Sequence, residues 1–180
     1  MSQFEFIFVL VSIIVGLALA QLLAGMTRPP RDPNGRIDIA HVAFSAGVTV
    51  LLITVWWSMF RWRTYETWTV IEFLLLCFYV SLFYVLAVIL SPLRASELPA
   101  FEQIRGKFYA VMILYCIVEP VVIYVRDGKL APWWYLPMMV HFCVLAGLGI
   151  YMRSARFDRL YALWFGVVNI AWIFLARFTG

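Results

Sequence analysis

The chain has 180 residues, of which 64% are hydrophobic and 13% are charged, with a formal net charge of +4. Soluble domains average roughly 45–50% apolar and about 25% charged residues, so this composition excludes a soluble globular protein. The connectors are too short to form a second core, because an independent domain needs at least about 50 residues. The sequence therefore predicts a single all-α integral membrane domain over residues 1–180.

Six apolar segments occupy almost the whole chain. A transmembrane helix needs about 20 apolar residues to cross about 30 Å of hydrocarbon, and each segment is close to that length. We therefore predict a compact bundle of six transmembrane helices over residues 4–26, 40–60, 68–90, 108–125, 133–152 and 160–178. We do not expect the first segment to be a signal peptide, because its start carries Glu5 and no basic residue.

Helix 1 carries a small residue at every fourth position, namely Ser12, Gly16, Ala20 and Ala24. Such small-residue stripes let two helix backbones approach closely within lipid. The stripe predicts either a contact with another helix of the same chain or an interface between copies in a homo-oligomer. Both alternatives stay open at this stage.

The distribution of basic residues predicts the orientation, because Lys and Arg in short loops tend to stay on the cytoplasmic side. The connectors after helices 1, 3 and 5 hold nine basic residues: Arg28, Arg31, Arg36, Arg94, Arg105, Lys107, Arg153, Arg156 and Arg159. The other side holds five: Arg61, Arg63, Arg126, Lys129 and Arg177. This difference predicts an N-out/C-out protein of the bacterial inner membrane. Attraction to anionic lipid explains the basic loops, so the bilayer and not nucleic acid is the expected partner.

Polar residues at membrane depth are the candidates for a functional site, because an ionisable group there costs roughly 2.5–3.5 kcal/mol on insertion scales. A rise of about 1.5 Å per residue places Glu119, His141 and Asn169 about 10–12 Å below the outer helix ends. Glu72 lies shallower, at about 6 Å by the same count. We predict that these residues line an outward-facing pathway for protons or a small cation.

Glu119 is the strongest of these candidates because Pro120 follows it inside helix 4. Proline removes a backbone donor and leaves a carbonyl group free in the preceding turn. A free carbonyl beside a carboxylate favours the binding of a cation or a proton. The alternative is a structural ion pair with a long basic side chain that reaches down from the outer ends, namely Arg61, Arg63 or Arg126.

The other three polar residues also have structural alternatives. Glu72 is shallow enough to pair with an outer arginine. His141 and Asn169 are residue types that often form hydrogen bonds between transmembrane helices. Each of the three is therefore either part of the pathway or part of the packing.

The sequence contains no motif for an enzyme, a metal site or a cofactor. The three cysteines lie in separate segments and lack C-x-x-C spacing, which argues against a zinc site or a disulfide framework. His41 and His141 lie near opposite membrane levels, so they cannot both bind one haem iron. Known catalytic motifs are missing. We therefore predict a non-enzymatic ion or proton pathway or, alternatively, a scaffold or regulatory subunit that binds a membrane protein partner.

Overall fold

A computed structural model of the chain describes residues 3–28, 30–32, 34–65, 67–92, 98–130 and 133–175. These residues form α1 (Gln3–Met26), α2 (Ile39–Ser58), a 3₁₀-helix (Met59–Thr64), α3 (Val70–Leu90), α4 (Phe101–Asp127), α5 (Tyr135–Met152) and α6 (Ala155–Leu175). Within these described residues, six helices are long and apolar enough to cross a membrane, and the 3₁₀-helix extends the second of them. The predicted all-α class with six such helices is confirmed.

Two helices begin earlier than the sequence predicted. α4 begins at Phe101 instead of residue 108, and α6 begins at Ala155 instead of residue 160. The apolar pattern excluded Arg105 and Asp158 from the spans, but the structure places both residues inside helices and buries them. Their charges balance each other, so neither residue ends a helix. The predicted end of the sixth span, with Arg177, and Arg94 lie outside the described residues.

Successive helices run in opposite directions. The start of α2 meets the end of α3, because Nε2 of His41 is 2.7 Å from the carbonyl oxygen of Leu90. The start of α4 lies at the same end, because the Phe101 N–H donates to Asp38, the residue before α2, at 2.7 Å. We call this end of the bundle the Asp38 end, and we call the opposite end, which contains the 3₁₀-helix, the Trp62 end.

Phe44 on α2 lies at the centre of the core and has no accessible surface. Its ring contacts rings on α4 and α6 at centroid distances of 4.7 to 6.0 Å, namely those of Phe101, Phe108, Tyr109, Tyr161 and Phe165. Aromatic pairs at these distances contribute about 0.5–1.5 kcal/mol each beyond the burial of their area. The cluster therefore holds α2, α4 and α6 together.

Gly149 on α5 allows a close approach of α4. A Cβ atom at this position would lie 2.4 Å from the ring of Tyr109, a distance that real Cβ contacts do not show. By contrast, a Cβ atom at Gly16 on α1 would meet nothing within 4 Å. Gly149 is thus required by packing, whereas Gly16 is not required by any described contact within the chain.

We expect Gly149→Ala to lower the free energy of unfolding by about 1–3 kcal/mol, the cost of overpacking a filled site. The Tyr109 ring would have to move, and its hydroxyl group also donates to Asp158 at 2.9 Å. Thermal unfolding in detergent, followed by circular dichroism, measures the change. Gly16→Ala is the matched control and should keep or slightly raise the stability, because alanine favours a helix. Equal losses in the two variants would contradict this account of Gly149.

Candidate functional site

A buried ion pair that was not predicted from the sequence joins α4 to α6. Arg105 donates to Oδ2 of Asp158 from Nε at 2.7 Å and from Nη2 at 2.5 Å. Tyr109 donates its hydroxyl group to Oδ1 of Asp158. The side chains of Arg105 and Asp158 are 9% and 2% exposed. Both carboxylate oxygens of Asp158 accept hydrogen bonds, and such a fully satisfied buried network holds the two helices in a fixed position. The spacing of Arg105 and Tyr109, four residues apart on one helix face, was the available signal.

A second polar network lies at the Asp38 end. Asp38 accepts the N–H of His41 at Oδ1, at 3.2 Å, and the N–H of Phe101 at Oδ2, at 2.7 Å. One carboxylate therefore caps the starts of both α2 and α4. The His41 ring is buried, with Nδ1 3.1 Å from the carbonyl oxygen of Pro99 and Nε2 close to that of Leu90. The network fixes α2 against both ends of the α3–α4 connector.

Glu119 is on α4, and its side chain contacts residues of α3 and α5. Its Oε1 atom accepts a hydrogen bond of 2.8 Å from the hydroxyl group of Tyr135 on α5. Its Oε2 atom is buried and has no hydrogen-bond partner in the part of the chain that the structure describes. Tyr79 on α3 and Tyr115 on α4 also act on the same carboxylate as hydrogen-bonding groups, although neither meets the geometry of a direct hydrogen bond to Oε2. Three helices thus place tyrosines around one carboxyl group.

The surroundings of Glu119 are closely packed and aromatic. Tyr79, Tyr115 and Tyr135 are all buried. The rings of Tyr79 and Tyr115 stack with centroids 6.0 Å apart, and both contact the ring of Phe83. A buried polar atom without a hydrogen bond costs about 1–3 kcal/mol, so such atoms are rare in proteins and call for an explanation. The orphaned oxygen therefore marks Glu119 as the candidate functional group.

The predicted pairing of Glu119 with an arginine is not seen as a direct ion pair among the described residues. Arg126 donates from Nε and Nη2 to its neighbour Asp127, at 2.8 Å each, and acts on Glu119 at longer range. Arg61 also reaches Asp127, at 3.5 Å. Arg63 lies over the ring of Phe60, 4.8 Å from its centroid. Arg61 and Arg126 thus share Asp127 at the Trp62 end, and the carboxylate of Glu119 is surrounded by tyrosines.

The structure does not bring His141 or Asn169 to Glu119. His141 is on the exposed face of α5, and its Nε2 atom accepts a hydrogen bond of 2.9 Å from the indole N–H of Trp164 on α6. Asn169 donates its amide to the carbonyl oxygen of Phe165, one turn earlier in α6, at 2.8 Å. His141 therefore takes part in a hydrogen bond between two helices, whereas the hydrogen bond of Asn169 stays within α6.

Glu72 is also separate from Glu119, because it caps the start of α3. It forms a capping box with Thr69, in which each side chain accepts the backbone N–H of the other residue. Tyr65 donates its hydroxyl group to Oε1 of Glu72 at 2.5 Å, and this hydrogen bond raises the pKa of Tyr65 above its ordinary value. The structure shows no arginine paired with Glu72 among the described residues. The T-x-x-E spacing was the sequence signal for this cap.

The small residues of α1 face away from the bundle. Gly16, Ala20 and Ala24 are exposed, and Ser12 is half-buried. Ser12 accepts a hydrogen bond of 3.4 Å from the indole N–H of Trp56 on α2. The stripe therefore lies on an outer surface. Of its four positions, Ser12 is the one for which the structure describes a hydrogen bond to another helix of the same chain.

Comparison of the chain with protein-family models, curated proteins and solved structures finds no match. The described residues contain no group of three or more His, Cys, Asp or Glu side chains that could hold a metal ion. The described residues thus form an all-α bundle whose six long helices are apolar enough to span a membrane, with one carboxylate oxygen buried beside tyrosines.

Proposed function

We propose that the protein conducts or transports protons or a small cation across the bacterial inner membrane and that Glu119 is the binding group. The observation that carries this proposal is the buried Oε2 atom of Glu119, which has no hydrogen-bond partner among the described residues. An ionised carboxylate at this depth is costly unless its charge is balanced. A bound proton or cation balances it where no arginine is in contact.

Asp158 is a buried residue, whereas Glu119 is half-buried and has one buried oxygen, Oε2, and the comparison of the two supports the distinction between function and structure. Asp158 receives three donated hydrogen bonds, two of them from the positive charge of Arg105. Among the described residues Glu119 receives one direct hydrogen bond, from the neutral hydroxyl group of Tyr135, with Tyr79 and Tyr115 as more distant hydroxyl groups. A fully bonded ion pair has no free position for a further ligand, whereas Glu119 has one. This difference favours Glu119 as the exchangeable site.

The helix around Glu119 adds an acceptor to the site. α4 continues through Pro120 to Asp127. Because proline has no N–H, the carbonyl group of Cys116 lacks its usual helical donor, one turn before the proline. Cys116 is itself buried and interacts with Glu119. His141, Asn169 and Glu72 do not enter the proposal, because each is bonded elsewhere.

The proposed orientation is N-out/C-out and is supported by the basic residues in the connectors. Arg105 belongs to a buried ion pair and drops out of the count. Eight basic residues then remain on the predicted cytoplasmic side, against five on the other side. The positive-inside tendency still favours the same orientation.

We expect Glu119→Gln to abolish proton and alkali-cation flux into proteoliposomes, because the amide keeps the shape of the side chain but carries no charge. Glu72→Gln is the matched control and should retain the flux, since its carboxylate serves the start of α3. Elution volume and thermal unfolding establish that both variants are folded. Wild-type flux in the Glu119→Gln variant would refute the proposal.

A second candidate function is that of a scaffold or regulatory subunit that binds a membrane protein or a second copy of the chain. It is favoured by the outward position of Gly16, Ala20 and Ala24 on α1. Small residues on a lipid-facing surface let another helix approach closely. Wild-type protein without flux under any gradient or voltage would favour this candidate.

A further inference from the structure

We infer that the species bound at Glu119 is a proton and not a metal cation, that Oε2 is the atom that takes it, and that Tyr135 is a positioning residue for the carboxyl group. This inference rests on the proposed function and narrows its substrate. It is carried by the unequal surroundings of the two carboxylate oxygens.

The space at Oε2 is too small for a metal cation. This atom is buried and out of contact with solvent, so no water-sized void adjoins it. A metal cation needs several oxygen ligands around a space of its own size, and Ca²⁺ takes about 6–8 of them. A proton needs one lone pair and no cavity. The site has room for a proton.

The other carboxylate oxygen, Oε1, already accepts a hydrogen bond. The hydroxyl hydrogen of Tyr135 points at this oxygen over an O–O distance of 2.8 Å. A cation held by both carboxylate oxygens would meet that hydrogen. Tyr135 therefore occupies Oε1 and leaves Oε2 as the free acceptor. Tyr135 is itself held in place by burial at the start of α5.

The chemical step is the addition of a proton to Oε2. A hydronium ion outside the packed site gives a proton to a neighbouring tyrosine hydroxyl group and is left as water. That tyrosine passes its own proton to Oε2, so it stays neutral, and the carboxylate of Glu119 becomes a neutral carboxylic acid. The new O–H group is a donor, and a tyrosine hydroxyl oxygen can accept from it. Tyr79 and Tyr115 are the tyrosines that interact with this carboxyl group besides Tyr135. Release is the reverse of this step, so no other reactant is needed.

The groups that face Glu119 come from three helices. They are Tyr79 on α3, Tyr115, Cys116 and Arg126 on α4, and Tyr135 on α5. Arg126 is the charged member, and it is bonded to Asp127. The tyrosines and Cys116 are neutral side chains. A proton that binds to Glu119 therefore does not have to displace a positively charged side chain that is in contact with the carboxylate.

The test is proton flux into proteoliposomes that contain a pH-sensitive dye, measured with Na⁺, K⁺ or choline as the bulk cation. We expect the flux to follow the pH gradient and to be the same in all three salts. In Tyr135→Phe the pH profile of the flux should be displaced by about one to two pH units, the effect of one hydrogen bond to a carboxylate. Tyr84→Phe is the control, because it removes a tyrosine hydroxyl group on α3 that is not among the groups around Glu119. Its pH profile of flux should match that of the wild type.

Infrared difference spectroscopy gives a second readout that does not depend on flux. The C=O stretching band of a neutral carboxylic acid should appear on acidification of the wild type and be missing in Glu119→Gln. Flux that needs Glu119 but also needs Na⁺ or K⁺, or a band that added Na⁺ removes, would overturn the inference and leave the proposed function standing. A wild-type pH profile in folded Tyr135→Phe would overturn the role of Tyr135. Flux that does not need Glu119 would refute the proposed function itself.

Discussion

Arg105→Ala is expected to lower the free energy of unfolding by about 3–5 kcal/mol, the cost of removing one partner from a buried ion pair. The substitution would leave the carboxylate of Asp158 buried with Tyr109 as its remaining donor among the described residues. The contact between α4 and α6 at the Asp38 end would lose its charge balance. We expect a large loss because Asp158 is nearly inaccessible to solvent.

Thermal unfolding in detergent measures this loss. Arg159→Ala is the control, because Arg159 is exposed on α6 and bonds the carbonyl oxygen of Ala155 within its own helix. This control should change the stability by no more than about 0.5 kcal/mol. The double variant Arg105→Met/Asp158→Leu should regain much of the loss, since it leaves no buried charge. Equal stability of Arg105→Ala and Arg159→Ala would contradict the ion-pair account.

Phe44→Ala is the second variant for which we expect a large effect, a loss of about 3 kcal/mol. This is the lower end of the range for buried Phe in soluble cores, about 3–5 kcal/mol. The lower end applies because lipid, unlike water, solvates an exposed ring well, so the loss comes mainly from packing. Five aromatic rings contact this side chain, and alanine would leave a cavity between three helices.

The same unfolding experiment tests the Phe44 prediction. Phe174→Ala is its control, because Phe174 is 77% exposed on α6 and truncation there opens no cavity. A stability of Phe44→Ala equal to that of Phe174→Ala would show that the cluster does not hold the bundle together. A larger loss in Phe44→Ala would confirm that packing at the centre of the core sets the stability.

The number of helices was predictable because each one is a long apolar run, and long runs are visible in any single sequence. The starts of α4 and α6 were not predictable in this way. Arg105 and Asp158 each look like loop residues when read alone, and they are 53 positions apart. A local pattern cannot reveal that two opposite charges so far apart will neutralise each other in the bundle. The error therefore has one physical cause for both helices.

The candidate site was predicted in part. Counting the rise along a helix gives the depth of a residue, and it singled out Glu119, but it does not give the direction of the side chain. Each residue turns the helix by about 100°, so depth and direction are independent. His141 was expected near Glu119. It lies six residues after Tyr135 on α5, and the turn of the helix over these residues places it on the exposed face. Tyr135, which donates the hydrogen bond to Glu119, is uncharged, and the search for ionisable residues at membrane depth therefore did not include it.

The double cap by Asp38 has a consequence for the order of synthesis. Ala100 provides no side-chain hydrogen bond at the start of α4, so the Phe101 N–H relies on a carboxylate 63 residues earlier in the chain. The first backbone N–H groups of a helix have no partner within the helix, and leaving one unsatisfied in a buried position is costly. Because the ribosome makes α2 before α4, Asp38 is already present when the start of α4 arrives. Asp38 is therefore synthesised before Phe101, the residue whose backbone N–H it accepts.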